Sequence, residues 1–254
     1  MAPSEKSETT EALVKREPTG FAIVDEPQAK TAMVDAFDQL GITDRFLNRI
    51  KVPAGGMTAW EVEDLEGTEV HQTIDVVIVG MRGKQKAWWN TSMEDGGGGA
   101  PPSCTSTDGR NAQGINTLDA DAVSGKHLCA ECAWNKFGSS RSGGNGKDCK
   151  DFSLLFFFRE GSRMPSLLQV PATSLKPLQS YIMQLIDKGK RFEGVVTQLG
   201  LQKAQSQSGI TYSTLTMTKV RDLDPESASE MVSIGKDFIS RIEDFDAFSA
   251  DADA

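Results

Sequence analysis

The chain has 254 residues, of which 38% are hydrophobic, and a formal net charge of −9 at pH 7. This length allows one large domain or two small ones, and the low hydrophobic content predicts disordered ends beside a folded core. No apolar run approaches the roughly 20 residues that a membrane-spanning helix needs, and no signal peptide is apparent, so we expect a soluble, cytoplasmic protein without a membrane partner.

Charge is unevenly divided along the chain. Residues 1–44 carry 4 basic and 9 acidic side chains, residues 222–254 carry 2 and 10, and residues 45–221 carry 21 and 17. Two acidic ends therefore flank a basic middle. Because binding of a polyanion depends on the local field, the middle is a candidate nucleic-acid surface despite the negative total; the alternative is an ordinary mixed surface.

The N-terminal part is predicted to be a flexible arm followed by helices. Residues 1–30 are rich in Glu, Lys, Ser, Thr and Pro without clear periodicity, which is typical of disorder. Two short helices joined at Gly41 are predicted next, from the helical spacing of Met33, Phe37 and Leu40 and then of Phe46, Leu47 and Ile50.

Strand patterns begin near Met57 and strengthen between residues 70 and 90, where apolar and polar residues alternate. Gly80 and Gly83 interrupt this run and predict bulges or sharp bends. A glycine-rich joint then leads into residues 96–151, which have too few apolar residues to form a core of their own.

The remaining elements follow in a recognisable order. Two strands are predicted around Glu160 and Gly161, of which the first is nearly all apolar and therefore expected to be buried on both faces. A helix capped at Ser174, a hairpin around residues 204–209 and a helix from Asp224 follow. This order predicts a mostly β, α+β protein whose residues 31–221 form an OB-fold-like five-stranded barrel with residues 96–151 inserted. The competing interpretation is an unspecialised α+β sheet domain. Residues 222–242 are predicted to form a C-terminal helix, and residues 243–254 are predicted to be an acidic disordered tail.

All four cysteines of the chain lie in the inserted segment, with the spacing C-x24-C-x2-C-x16-C. Four thiolates around one Zn²⁺ would hold a segment that burial cannot, so a structural zinc bound by Cys104, Cys129, Cys132 and Cys149 is predicted. His127 is a possible substitute ligand. Two disulfides, a redox pair or unligated thiols are the alternatives, whereas the motif of catalytic zinc deaminases is incomplete.

Basic and aromatic residues are interleaved in the manner of single-strand binders, which combine a positive groove with stacking platforms. Arg82, Lys84, Lys86 and Trp88 share one face of a strand if alternation holds. For the tryptophans the alternative is a core position under a bent strand, which we favour for Trp89. Further candidates are Arg159, Lys190, Arg191, Lys203, Tyr212 and Lys219. Trp134, Lys136, Phe137 and Arg141 follow the C-x2-C knuckle and rank lower, because they can pack the metal site instead.

The C-terminal tail, IEDFDAFSADADA, combines carboxylates with two phenylalanines and has no basic residue. Such a tail can bind basic pockets on partner proteins or compete with DNA, and the alternative is a solubilising role. The residues proposed for partner binding are Asp244, Phe245, Asp246 and Phe248.

Taken together, the basic core, the inserted knuckle and the tail DFDAF resemble zinc-containing OB-fold single-stranded DNA-binding proteins of phages and mobile elements. The segments WWN, PSCTSTDG, CAECAW, GKDC and PATSLKPLQSY also resemble a family of uncharacterised mobile-element proteins. The cysteine-only ligand set and the final Ala254 depart from the pattern of the former. The resemblance implies a host-cell cytoplasmic location and partners among replication or recombination proteins, recruited through the tail.

The resulting hypothesis is a non-catalytic, sequence-independent single-stranded DNA-binding protein. One alternative is a metal-dependent nuclease, although the chain has only two histidines, His71 and His127. Another is a zinc-bearing module that recruits other proteins through its tail.

Overall fold

The computed structural model describes residues 18–39, 47–64, 66–91, 101–115, 125–141, 143–206 and 209–242. The helices are α1 (Ala22–Asp25), α2 (Pro27–Gln39), α3 (Ala172–Asp187) and α4 (Pro225–Arg241). The strands are β1 (Asn48–Lys51), β2 (Trp60–Asp64), β3 (Gly67–His71), β4 (Thr73–Trp88), β5 (Cys104–Ser106), β6 (Asn111–Gly114), β7 (Gly125–Leu128), β8 (Lys150–Arg159), β9 (Ser166–Pro171), β10 (Val195–Gln205) and β11 (Thr211–Asp222). The protein is mostly β, with helices on the sheet, so the predicted α+β class is confirmed.

Strand β4 is the centre of the sheet. It pairs antiparallel with β8 along most of its length, with β10 near its N-terminal end, and with β5 near its C-terminal end. Beyond β8 the sheet continues through antiparallel β9 to parallel β1, and beyond β10 it continues to antiparallel β11. Strands β5, β6 and β7 form an antiparallel extension that carries the cysteine segment.

Apolar residues cover both faces of β8, which confirms the prediction of a strand buried on both sides. Phe156 faces helices α1, α2 and α4, and its ring meets Phe238 edge-to-face with centroids 5.5 Å apart. Leu155 and Phe157 face the opposite layer, which includes Leu178 of α3 and Trp60 of β2. Burial of this kind contributes roughly 25 cal/mol per Å² of apolar surface, which is why the sheet lies between two apolar layers.

The glycines inside β4 mark bulges, as predicted. The register between β4 and β8 shifts between Ile78 and Gly80 and again between Arg82 and Gln85. At Gly80 a β-carbon would lie 2.3 Å from Cδ1 of Ile239, so this bulge also lets α4 approach the strand closely. Each bulge turns the strand and changes which side chains face the core.

The predicted five-stranded barrel is wrong in its closure. Within the described ranges the strands form an open mixed sheet, and no ladder joins β1 to β11. The reason is that β1 occupies the free edge of β9, and the β2–β3 hairpin is connected to β1 and to β10 by side-chain hydrogen bonds instead of by a strand ladder. Asn48 of β1 donates to the Glu63 carbonyl at 2.7 Å, and the Trp60 indole donates to the Leu199 carbonyl at 3.2 Å.

Three local predictions also need correction. Residues 48–51 form strand β1 rather than part of a second helix, because Ile50 pairs with Leu168 in the parallel ladder. The predicted flexible arm extends too far, since α1 and the start of α2 lie before residue 31 and Phe21 is fully buried. Helix α3 begins at Ala172, and Ser174 is buried within it, where its hydroxyl accepts a hydrogen bond from the Leu215 amide at 2.9 Å.

The C-terminal helix begins as predicted. Asp224 is the N-cap of α4, and its carboxylate accepts from the amides of Glu226 and Ser227. Among the described helices none is long and apolar enough to cross a membrane.

Helix α4 packs so closely on β4 that Gly235 should tolerate no side chain. A β-carbon at Gly235 would lie 2.4 Å from the Val79 carbonyl oxygen, a backbone atom that cannot move aside. We therefore expect Gly235→Ala to lower the free energy of unfolding by about 1–3 kcal/mol, the usual cost of overpacking.

The matched control is Ser233→Ala, on the exposed face of the same helix. This change should be neutral or slightly stabilising, because alanine favours the helix by a few tenths of a kcal/mol. Urea denaturation measures both variants. Equal or higher stability of Gly235→Ala would show that the helix does not lie as close to the strand as described.

Candidate metal centre and nucleic-acid interface

The four cysteines are carried to one place by strand pairing. Cys104 opens β5 and pairs with Trp88 at the end of β4, and Cys149 precedes β8, whose first residue pairs with Ala87. Cys129 and Cys132 lie in the turn after β7, where the Cys129 amide donates to the Arg110 carbonyl at 2.8 Å. Together with His127 the four cysteines line a small cavity of about 10 Å³.

Two of the thiols in this cavity, those of Cys104 and Cys149, have raised pKa values. Burial, followed by the charges of Cys149, Cys132 and Cys129, raises the pKa of Cys104 to about 12. Burial also raises the pKa of Cys149 to about 11, although the nearby ammonium of Lys86 opposes the rise. Cys104 and Cys149 therefore stay protonated by themselves, whereas a divalent cation beside them would favour the thiolates, which are its ligands.

A buried ionic cluster lies against the cysteines. Asp151 accepts from three ammonium groups, those of Lys86 at 2.5 Å, Lys147 at 2.8 Å and Lys84 at 2.9 Å. Although burial opposes ionisation, these contacts lower the pKa of Asp151 to about 2. Asn135 extends the cluster, because its side-chain oxygen accepts from Lys86 and Lys147 while its amide nitrogen donates to the Cys129 carbonyl at 2.7 Å.

Four cysteine sulfurs at one cavity are the donor set of structural zinc sites. Four thiolates around one Zn²⁺ carry a formal charge of about −2, and Lys86, only 5% exposed, lines the same cavity as a compensating charge. As placed, no group of three or more His, Cys, Asp or Glu side chains within the described residues forms a ready-made metal site. His127 is a fifth candidate donor, with Nε2 3.4 Å from Cys104 Sγ.

An aromatic stack supports the other side of the cavity. The rings of Trp88 and Trp134 are nearly parallel, at 16°, with centroids 5.2 Å apart. The guanidinium of Arg141 lies 5.4 Å from the Trp88 centroid and 5.7 Å from that of Trp134. The indole of Trp88 donates to Asp148 at 2.7 Å, and the same carboxylate accepts from Arg141 at 2.7 Å. These residues therefore pack the cysteine segment.

For Lys86 and Trp88 the structure corrects the prediction of nucleic-acid contact. Both are buried, at 5% and 2% exposure, and both are engaged inside the cysteine segment. The prediction assumed unbroken alternation along the strand, but the register shift between Arg82 and Gln85 changes the face of the residues that follow. Lys84 remains accessible, with its side chain 52% exposed, and Trp89 is partly buried against the helical layer, as we expected.

The other predicted contacts are not gathered into one groove. Lys190 and Lys219 both pair with Asp222, and Arg191 pairs with Glu193. Lys203 and Tyr212 lie near the turn of the β10–β11 hairpin, and Tyr212 is seven residues from Lys219, or about 23 Å along β11. Arg82 donates to the Ile242 carbonyl, and Arg159 is partly buried at the end of β8. The tail residues Asp244, Phe245, Asp246 and Phe248 lie outside the described residues.

Two features of the surface escaped the sequence analysis. The β2–β3 hairpin is strongly acidic, with no lysine or arginine and five exposed carboxylates: Glu61, Glu63, Asp64, Glu66 and Glu69. Phe137, ranked low because it follows the knuckle, is 79% exposed. The acidic hairpin was hidden because charges were counted over longer windows. The exposure of Phe137 is apparent only once the aromatic residues around it are seen to be buried.

Comparison with protein-family models, with curated proteins and with solved structures returns no significant match.

The cysteine centre should bind one zinc ion per chain in freshly purified, reduced protein. We expect Cys104→Ser and Cys149→Ser to lose the metal, and a chelator to lower the thermal midpoint of the wild type by about 10 °C, because a tightly bound ion stabilises the folded state by several kcal/mol. The control His127→Ala should keep the metal if the four cysteines are the ligands. Elemental analysis that finds no zinc in the wild type would refute the site.

Asp151 should be essential for stability because it neutralises Lys86. Asp151→Asn keeps the shape but leaves a buried ammonium without its counter-charge, which costs about 3–5 kcal/mol. The control Asp187→Asn changes a carboxylate that is 75% exposed and should shift stability by less than about 0.5 kcal/mol. Chemical denaturation of both variants gives the comparison, and equal stabilities would contradict the role assigned to Asp151.

Proposed function

We propose that the protein is a non-catalytic, zinc-stabilised, single-stranded DNA-binding protein that serves replication or recombination in a phage or mobile element. The observation that carries this proposal is the segregation of charge along β4. Near its C-terminal end β4 exposes Lys84, and the cysteine segment that follows exposes Lys136 and Lys150, whereas the acidic hairpin directly precedes its N-terminal end. A polyanion is attracted to the first end and repelled from the second.

The topology supports an OB-like origin for the core. Strands β4, β8 and β9 are followed by α3 and then by β10 and β11, and β4 pairs with both β8 and β10. In OB-folds the loop between the first two strands and the loop between the last two contact oligonucleotides. Here these correspond to the cysteine segment and to the β10–β11 turn, and Lys203 and Tyr212 lie on the strands beside that turn. The parallel strand β1 and the acidic hairpin would then be additions that leave the barrel open.

In this proposal Cys104, Cys129, Cys132 and Cys149 hold the zinc, whose role is to cross-link a segment that buries few apolar side chains. Lys86 balances the charge of the thiolates, and it also connects Asp151 to Asn135, which donates to the Cys129 carbonyl of the C-x2-C turn. The surface lysines neutralise phosphates, which makes binding dependent on salt and little dependent on sequence. Asp244, Phe245, Asp246 and Phe248 of the acidic tail would recruit partner proteins of replication or recombination.

The wild type should bind an oligo-dT strand at low salt and bind a duplex of equal length much more weakly. Binding by fluorescence anisotropy across a salt series should give a linear dependence of the logarithm of affinity on the logarithm of salt concentration. In the double variant Lys136→Ala/Lys150→Ala the slope should fall by about 1.4, or about 0.7 for each lost phosphate contact on a single strand.

Two exposed lysines, Lys176 of α3 and Lys188 directly after its last residue, provide the matched control. Lys176→Ala/Lys188→Ala removes the same charge from the helix that covers the opposite layer of the sheet, and it should leave the slope unchanged. Undetectable binding at low salt, or equal affinity for the duplex, would rule out the proposed function. An equal effect of the two double variants would refute the cysteine segment as the binding surface.

A further inference from the structure

Phe137 is the one exposed aromatic side chain among the described residues. The other aromatic rings in these segments are buried or partly buried, including Trp88 and Trp134 beneath the same loop. A single exposed apolar residue is common on protein surfaces, so exposure alone is no argument for a role. The loop that carries Phe137 and the charges around it supply that argument.

The loop is held in place by its own hydrogen bonds. The Gly138 amide donates to the carbonyls of Asn145 and Gly146, at 3.3 and 3.0 Å, and the Ser140 amide also donates to Gly146. The Ser139 hydroxyl donates to the Trp134 carbonyl at 2.9 Å and accepts from the Asp148 amide at 3.1 Å. Because the loop is ordered before any ligand arrives, binding at Phe137 costs little conformational entropy.

One ammonium group lies over the exposed ring, and two more belong to exposed lysines of the same segment. Lys147 Nζ lies 5.6 Å from the ring centroid and is fixed by Asp151 and Asn135. Lys136 is the preceding residue and is exposed, and Lys150, also exposed, has its ammonium 3.2 Å from the Lys147 carbonyl. An aromatic face with lysines on its flanks is complementary to a nucleic-acid base with its phosphates.

We infer that Phe137 is the platform on which a base of an unpaired strand stacks, in place of the tryptophan of β4 that the sequence had suggested. This inference rests on the proposed function and identifies the part of the surface that distinguishes an unpaired strand from a duplex. In a duplex both faces of each base are already stacked on neighbouring base pairs, so the ring of Phe137 has no free base to receive. The lysines bind the phosphates of either form.

The test compares three variants with the wild type for binding to oligo-dT. Phe137→Ala should weaken binding between about 5-fold and about 150-fold, the usual effect of removing a stacking ring. The salt slope should stay as in the wild type, since no phosphate contact is lost. Phe137→Trp should keep the affinity and add a fluorescence component that oligo-dT quenches. Leu128→Ala, at a residue that is 48% exposed in the same segment, is the control and should bind as the wild type does.

The possible outcomes separate the inference from the proposed function. A wild type that binds no strand removes both, whereas a wild type that binds oligo-dT while Phe137→Ala binds equally well overturns the inference alone. Zinc content is measured on each sample. If Phe137→Ala loses metal, its weaker binding is not interpreted, and the fluorescence of Phe137→Trp is the test instead. Absence of quenching by oligo-dT would then overturn the inference. If Phe137→Ala self-associates less than the wild type in sedimentation experiments but binds the strand equally well, Phe137 is a protein contact. That result would also overturn the inference.

Discussion

The fold depends on a single strand, β4, that is shared by the central sheet and the cysteine segment. Strand β4 pairs with β8 and β10 in the centre of the sheet and then continues until it pairs with β5 beside the cysteines. A strand of 16 residues, about 50 Å long if fully extended, cannot stay flat against one apolar layer. The two bulges let the strand bend, because each one turns the backbone and changes which side chains face the core. The same bulges place Lys86 and Trp88 inside the cysteine segment rather than on the surface.

The cysteine segment is stabilised mainly by polar and ionic contacts. Its buried apolar cluster is small, formed by Trp88, Ala112 and three cysteines with Trp134 against them. Around this cluster lie the Asp151 group with its three lysines and the stack of two tryptophans under Arg141. Buried charges are costly unless they are paired, so the segment is stable only when all its partners are present. In the proposed protein the zinc ion completes this set, and the surface loops, including the one that carries Phe137, take their positions from it.

The sequence was informative wherever a local rule determines the structure. Glycines within an alternating run predicted the bulges, a strongly apolar decapeptide predicted a strand buried on both faces, and Asp224 before Pro225 predicted the start of the last helix. It failed where the outcome depends on distant residues. Ile50 has helical spacing but lies in a strand, because the free edge of β9 accepts a parallel partner. The burial of Lys86 could not be foreseen either, since its counter-ion lies 65 residues away in the chain.

The positions of the cysteines also bear on how the chain matures. Cys129 and Cys132 are neighbours in sequence and are close together even in an unfolded chain, whereas Cys104 and Cys149 reach them only when β5 and β8 have paired with the end of β4. Capture of an ion by the first pair would therefore be an early and weak event, and full coordination a late one. In the proposed protein, retention of the metal would then report that β5 and β8 have paired with the end of β4.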